Sequence, residues 1–305
     1  MRVLREVAQR GSFSAAAEAL SFTQSAVSQQ IAALEREAGT MLVERSVRGV
    51  RLTDAGRALV RHTDAILGRL AEAEAELEAI AGLRGGRVRM AAFESAGATL
   101  MPLAIAIFRE RHPAVDLTLS LAEPGESLPK LKSGELELAL SFEAKGVPAF
   151  ADDGIERTYL IDDPLYLALA TDHPLAHKRN LRLADLPAEA WIGGSPGCAC
   201  NAMLLSACSG AGYEPRIVFE SDDYAAIQGF VAAGVGVALI AELALTTIRD
   251  DVVIRSLGRE MPLRRIYAAT LAGGYRSPAT TAMLDILVSA AAGYERRRPE
   301  LSVVG

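Results

Sequence analysis

The stretch Gly11–Glu37, "GSFSAAAEALSFTQSAVSQQIAALERE", sets two helical segments on either side of a three-residue break. A helix pair joined that tightly has few ways to pack, so this stretch constrains the chain more than any other. Ser12 or Ser14 can cap the first helix, which runs through Ala15, Ala16, Ala17 and Leu20. The alanines let another backbone approach closely. Ser21-Phe22-Thr23 interrupts the pattern, and Thr23 supplies a second N-cap before Gln24. Val27, Ile31 and Leu34 then recur at i, i+4 and i+7, which makes one apolar face. Gln24, Ser25, Ser28 and Gln29 crowd the other face near the helix start. A second helix with such a polar leading end suits the DNA major groove, where Gln, Ser and Arg side chains read base edges. The same spacing also fits an ordinary pair of core helices with one solvated face.

The next segment, "LVERSVRGVRLTDAGRAL", reads as a short strand, a Gly turn and a second strand, followed by a helix that Thr53 caps. Arg45, Arg48 and Arg51 lie on this hairpin. A basic hairpin after a helix-turn-helix is a wing, and its arginines suit phosphate or minor-groove contacts. Residues 1–60 carry eight arginines against six acids, a surplus of two in a chain of formal net charge -6. That asymmetry agrees with a nucleic-acid partner at the N-terminus.

Residues 3–67 resemble the N-terminal domain of the LysR-type transcriptional regulators. "GSFSAAAEAL", "TQSAVSQQIAALE", "LVER", "GVRLTDAG" and the long helix after them match in order and spacing. The resemblance implies a winged helix-turn-helix that binds double-stranded promoter DNA. Gln24, Ser25, Ser28 and Gln29 would enter the groove, with Ser14 and Thr23 beside them. Arg45, Arg48 and Arg51 would contact the backbone. Two departures stand out. Members usually carry several residues before the position of Val3, so either Met1 is a late start or the first helix is short, exposing part of the core. Ser25 stands where many members have Pro, and Gln29 where many have Arg, which makes the reading head less basic.

From Thr53 to Ala81 there is no proline. Leu59, Ile66, Ala73 and Ile80 repeat every seven residues, with Thr63, Leu70 and Leu77 at the alternate seam positions. That is a heptad stripe, fit for a coiled coil or for packing on the helix's own domain. The resemblance implies a homodimer through this helix, and a dimer or homotetramer on DNA. Gly82, Gly85 and Gly86 then form a hinge. The expected domains are 1–53 (DNA binding), 54–86 (linker) and 87–305 (effector binding). The last divides into one lobe at about 87–161 and 266–293, and another at about 162–265.

Beyond residue 87 the chain alternates strand and helix, the rhythm of an α/β domain. "RVRMAAF", "VDLTLSLAE" and "LELALSF" read as strands, and "SAGATLMPLAIAIFRERHP" and "SLPKLKSGE" as helices. "DPLYLALATDHPLA" reads as a strand crossing to a second lobe. Two lobes joined by crossing strands make a cleft, and ligands sit there at helix N-termini beyond strand ends. The resemblance implies the same fold, a periplasmic-binding-protein-like effector domain. "AAFESAG" and "IVFESDD" echo one another, one per lobe, at strand-to-helix turns. The expected effector residues are Glu94, Ser95, Thr99, Phe142, Ser195, Cys198, Cys200, Asn201, Ser221 and Asp222. The acids favour a ligand with a cationic nitrogen, unless they only stabilise helix N-termini. The glycines of "GGSPGCACN" offer backbone N–H groups to a carboxylate or phosphate, so a zwitterion suits the whole set.

Cys198, Cys200 and Cys208 are the only cysteines, too few for a disulfide scaffold, and fit a reducing, cytoplasmic compartment. A Cys at a helix start is more reactive than usual, so a redox-sensing regulator is a second reading. A zinc site lacks its fourth ligand, because the four histidines are scattered. No GxSxG, P-loop or HExxH occurs, and no cofactor signature, which argues against an enzyme. No apolar run is long enough for a membrane span, and Arg2, Arg5 and Glu6 follow Met1 without an apolar signal region. Lack of an export signal and the N-terminal winged helix weigh against a transporter-type binding protein.

Overall fold

A computed structural model of the chain describes residues 1–46, 49–80, 86–144, 154–196 and 198–297. They form two compact units: Met1–Leu77 with Lys132–Glu135, and the remaining chain from Glu78. In the first unit α1 (Arg2–Arg10), α2 (Phe13–Ala19) and α3 (Gln24–Ala38) pack around one small core. α1 buries Val3, Leu4 and Val7 in that core. Ser12, rather than Ser14, caps α2 by accepting from the Ala15 N–H at 3.1 Å. The turn into α3 puts Ser21 in the left-handed region at φ 55°, and the Phe22 N–H bonds back to the Ala17 carbonyl. Thr23 Oγ1 then accepts from the Ala26 N–H at 3.2 Å and starts α3 where expected.

Gly39, at φ 68°, ends α3, and the chain turns into a hairpin of β1 (Val43–Ser46) and β2 (Gly49–Leu52). The Glu35 carboxylate ties this wing to α3, accepting from the N–H groups of Leu42 (2.8 Å) and Val43 (3.2 Å). Thr53 Oγ1 accepts from the Gly56 N–H and opens α4 (Asp54–Ile80). Ile66, Leu70 and Leu77 on α4 are more than half exposed and make an apolar stripe along the helix. The Ile80 side chain of the expected seam lies outside the described residues.

The second unit is built on a nine-stranded sheet with the order β4-β3-β5-β11-β6-β9-β7-β8, with β10 on β6. Its elements, in chain order, are β3 (Arg87–Ala92), α5 (Glu94–Ala98), α6 (Leu100–Arg111), β4 (Asp116–Leu121), α7 (Pro124–Lys132) and β5 (Leu138–Ala144). There follow β6 (Ile155–Ala170), β7 (Ala190–Gly193), α8 (Ala199–Gly210), β8 (Arg216–Glu220) and α9 (Tyr224–Ala232). The chain closes with β9 (Val237–Ala241), β10 (Val252–Arg255), β11 (Leu263–Leu271) and α10 (Pro278–Arg296). The parallel set β4-β3-β5 forms one lobe and the parallel set β8-β7-β9 the other.

β6 joins them. It pairs antiparallel with β11 as far as Pro164, then with β9 and β10 from Leu165 onward. The crossing strand therefore begins eight residues before the expected Asp163, because its first half already has a partner in β11. Two further expectations shift. The helix expected over 95–113 breaks at Thr99, whose hydroxyl donates to the Leu243 carbonyl at 2.6 Å. The helix expected over 127–135 begins at Pro124, whose fixed φ suits a first turn.

Candidate functional site

On α3, Val27 and Ile31 point into the core, which leaves Gln24, Ser25 and Gln29 exposed and Ser28 half-buried. At 100° per residue Ser25, Ser28 and Gln29 share one outward face. Thr23 lies beside them, its hydroxyl 3.0 Å from Ser25 Oγ. Ser14 is exposed on α2. Arg51 is exposed on β2, opposite Glu44 in the hairpin register. Arg48 and the side chain of Arg45 lie outside the described residues.

The second unit holds a cleft between its lobes, lined by Glu94, Ser95, Glu123, Gly193, Gly194, Cys198, Cys200, Ser221, Asp222, Tyr224 and Arg264, among others. Its floor is a buried ion pair. Arg264 and Asp163 are each 1 % exposed and meet at 2.7 Å through Nε and Oδ2. They are directly opposite in the β11–β6 register. Arg264 also donates from Nη2 to Ser95 Oγ at 2.5 Å and from Nη1 to Cys200 Sγ at 3.7 Å. Its guanidinium lies 4.8 Å from the Phe93 ring centre and 5.0 Å from that of Phe142. Burial opposes the Arg264 charge, and the nearby Asp163, Tyr224 and Cys200 more than offset it, so Arg264 stays protonated.

Acids line the cleft walls. Burial pushes Glu123 up to about 7, with the Cys200 thiolate and Asp222 adding to the rise and Arg264 opposing it. Burial also raises Glu94, helped by Asp223 and Asp222. Asp222 Oδ1 accepts from the Ser195 N–H at 3.0 Å and so fastens the glycine loop to the start of α9. A Cβ on Gly193 would come within 2.9 Å of Asn201 Oδ1, and one on Gly194 within 3.2 Å of Asp222 Oδ1. The glycines let that loop lie against the neighbouring turn. Asp223 accepts from the N–H groups of Ala225 and Ala226 as the N-cap of α9, so it is a structural cap.

Of the ten residues expected to meet an effector, Glu94, Ser95, Cys198, Cys200, Ser221 and Asp222 line the cleft. Thr99 does not, since its hydroxyl is taken by Leu243. Phe142 lies behind Arg264 as packing, 1 % exposed and edge-on to Phe93. Ser195 is not among the lining residues, and its N–H is taken by Asp222. Asn201 stands behind Gly193, its buried Oδ1 without a partner. Arg264, Asp163, Glu123 and Tyr224 were absent from the expectation. One signal was present: the doublets Asp162-Asp163 and Arg264-Arg265 lie in two strand-like segments with complementary charge.

Cys198 and Cys200 share the cleft, and Cys208 is buried in the core beside Tyr213. Eight helical residues, about 12 Å of rise, separate Cys200 from Cys208. That exceeds disulfide reach, so Cys208 cannot bridge to Cys200 in this fold. The Cys200 thiol is held below the ordinary range because Cys198 donates to it, burial opposes this, and Arg264 and Tyr224 add to the lowering. Among the described residues no group of three or more His, Cys, Asp or Glu is arranged to hold a metal ion. No helix among them is long and apolar enough to cross a membrane.

This geometry, a winged helix-turn-helix in one unit and a two-lobed cleft in the other, defines a DNA-binding regulator with a ligand-binding domain. Residues 1–57 match the family of bacterial regulatory helix-turn-helix proteins, lysR family, and residues 81–292 match the LysR substrate binding domain. The chain belongs to the LysR family and is a DNA-binding transcriptional regulator with an effector-binding domain. It is 30 % identical over 289 residues to the probable HTH-type transcriptional regulator LrrA of Synechococcus elongatus, covering 94 % of this chain and 95 % of that one. It is 31 % identical over 297 residues to the RuBisCO operon transcriptional regulator of Allochromatium vinosum, covering 96 % and 95 %. These relatives are transcriptional regulators and not enzymes. The fold is shared with the OxyR C206 mutant of Corynebacterium glutamicum at a TM-score of 0.63 and 21 % identity, over 99 % of this chain and 93 % of that one.

Glu123 gives the cleft a measurable pH dependence. Its folded value lies above the ordinary 4.5, so its contribution to stability is full below about pH 4.5 and lost as pH rises through about 7. Glu123→Gln keeps the neutral shape. Denaturant unfolding should show the variant gaining on the wild type between pH 5 and 8, by on the order of 2 kcal/mol. A difference that stays flat across that range would rule out a strained carboxylate here.

Proposed function

We propose that this regulator reads promoter DNA with the outer face of α3 and senses a small zwitterion or amine in the cleft. Residues 1–53 would bind DNA, 54–86 would link and dimerise, and 87–305 would bind the effector. Gln24, Ser25, Ser28 and Gln29 meet base edges, with Ser14 and Thr23 at the groove margin. Arg45, Arg48 and Arg51 meet phosphates. The exposed stripe of Ile66, Leu70 and Leu77 supports a homodimer, with a homotetramer as the larger assembly. Two half-sites then share one binding event. The protein acts in the cytoplasm, on promoter DNA.

One observation supports the ligand class most strongly. A buried guanidinium lies at the cleft floor while Glu94, Glu123 and Asp222 stand along its walls. A carboxylate can settle near Ser95, Arg264 and the glycine loop, and an ammonium between the acids. Neither a bare anion nor a bare apolar molecule satisfies both. Binding would shift the balance between two assemblies and so alter DNA bending.

A band-shift titration on the DNA upstream of its own gene, across a salt series, tests the DNA half. Gln29→Ala should weaken specific binding about tenfold with little change in salt slope, and Arg51→Ala should lower that slope by about one. A folded dimer that prefers the fragment no more than unrelated DNA would contradict the reading.

A second reading rests on Cys200, whose thiol faces Arg264 and whose neighbour Cys198 is free. Peroxide would oxidise the Cys200 thiolate to a sulfenic acid, and attack by Cys198 would expel water and leave a disulfide. Mass spectrometry after mild peroxide treatment should then find a 198–200 bridge that Cys200→Ser lacks. Two unmodified thiols would dismiss the switch.

A further inference from the structure

A second cavity of about 810 Å³ lies on the other side of the elements that floor the cleft. It falls within the roughly 300–1,000 Å³ of small-molecule sites. Successive side chains on a strand point to opposite faces. On β11, Arg264 faces the cleft, and Leu263 and Arg265 face this cavity. The helix α8 divides in the same way, with Cys200 and Leu204 toward the cleft and Met203 and Ala207 toward the cavity. Both lobes supply walls: Glu143 and Arg265 on the β5–β11 side, Arg182 and Met261 on the other.

Charge and apolar surface are separated inside it. Met203, Ala207, Met261 and Leu263 make an apolar bed. Three arginines surround it against two acids, Glu143 and Glu260. Both acids are already engaged: Glu143 with Arg157 at 2.7 Å, and Glu260 with Arg182 at 2.8 Å. Arg265 meets Asp162 only at 3.7 Å and is 62 % exposed. Arg259 is exposed and has no acidic partner among the described residues. Positive charge is therefore left over at the rim of an apolar chamber.

We infer that this chamber is a second ligand site, distinct from the cleft, for an amphipathic monoanion: an apolar body on the Met203–Met261 bed and an acidic head on Arg259 and Arg265. The inference does not depend on what the cleft binds. An occupant touches both lobes and holds them at one spacing.

The probe is 8-anilinonaphthalene-1-sulfonate, an aromatic monoanion whose fluorescence rises in apolar surroundings, titrated into the full-length protein. Binding should saturate at one site per chain. Octanoate should displace the probe, and octylammonium should not. Arg259→Glu should weaken the probe at least fivefold, and Ala207→Trp should remove its binding by filling the bed. Arg111→Glu, the same charge change at an exposed position on α6, should leave affinity unaltered. Arg259 is exposed, so its variant keeps the test valid if Ala207→Trp fails to fold; far-UV circular dichroism decides that. Unsaturable fluorescence, equal weakening by Arg259→Glu and Arg111→Glu, or displacement by octylammonium as readily as by octanoate would overturn the assignment.

Discussion

Arg264 and Asp163 form a charge pair sealed from water where the two lobes of the second unit meet. Such a pair is costly to bury, and it persists only when its remaining donors and acceptors are satisfied. Here they are. Asp163 accepts from the Leu243 N–H at 3.0 Å through its second oxygen, and Arg264 uses Ser95 and Cys200 and stacks on two phenylalanine rings. These partners come from Phe93 at the start of α5, α5 itself and β5 on one side, and from α8 and the turn that follows β9 on the other. The pair thus registers β6 against β11 and sets the distance between the lobes. Removing either member would strand the other charge, at a cost of roughly 3–5 kcal/mol.

The same pair bears on the ligand class proposed for the cleft. Arg264 is largely neutralised by Asp163, so it adds little net positive charge to the cleft. Of the wall acids, Glu123 feels Arg264 but is still pushed toward its neutral form by burial, and burial with Asp223 and Asp222 pushes Glu94 the same way. A bound ammonium would relieve that pressure, which is the physical reason to favour a cationic centre over a simple anion. The second cavity has the reverse balance, spare arginines around an apolar bed. Alternate side chains of one strand serve both, so opposite chemistries lie back to back.

The DNA-binding unit was legible because its signals are local. A cap, an alanine-rich helix, a seven-residue apolar repeat and a Gly-bounded hairpin each declare themselves within a short stretch of sequence. Thr23 and Thr53 cap where the pattern placed them. The cleft was legible only in part. The Phe-Glu-Ser echo located Glu94, Ser95 and Ser221, because a strand-to-helix turn has a predictable outcome. Thr99 and Phe142 were misplaced because nothing local tells which way a side chain turns at a helix break or in a strand buried on both faces. Arg264 was missed because its meaning depends on Asp163, 101 residues earlier. Only the strand register reveals that one member of each charged doublet turns inward and the other faces solvent.

The central claim is that a small zwitterion or amine seated in the cleft changes how the protein holds DNA. Its most direct test is the anisotropy of a labelled upstream fragment bound to the full-length protein, measured while amino acids, simple amines and simple carboxylates are added in turn. Wild type should respond to members of the first two groups and not to the third, and Asp222→Asn should shift the response to higher concentrations without altering DNA affinity alone. A response to simple carboxylates only, undiminished in Asp222→Asn, would contradict the account.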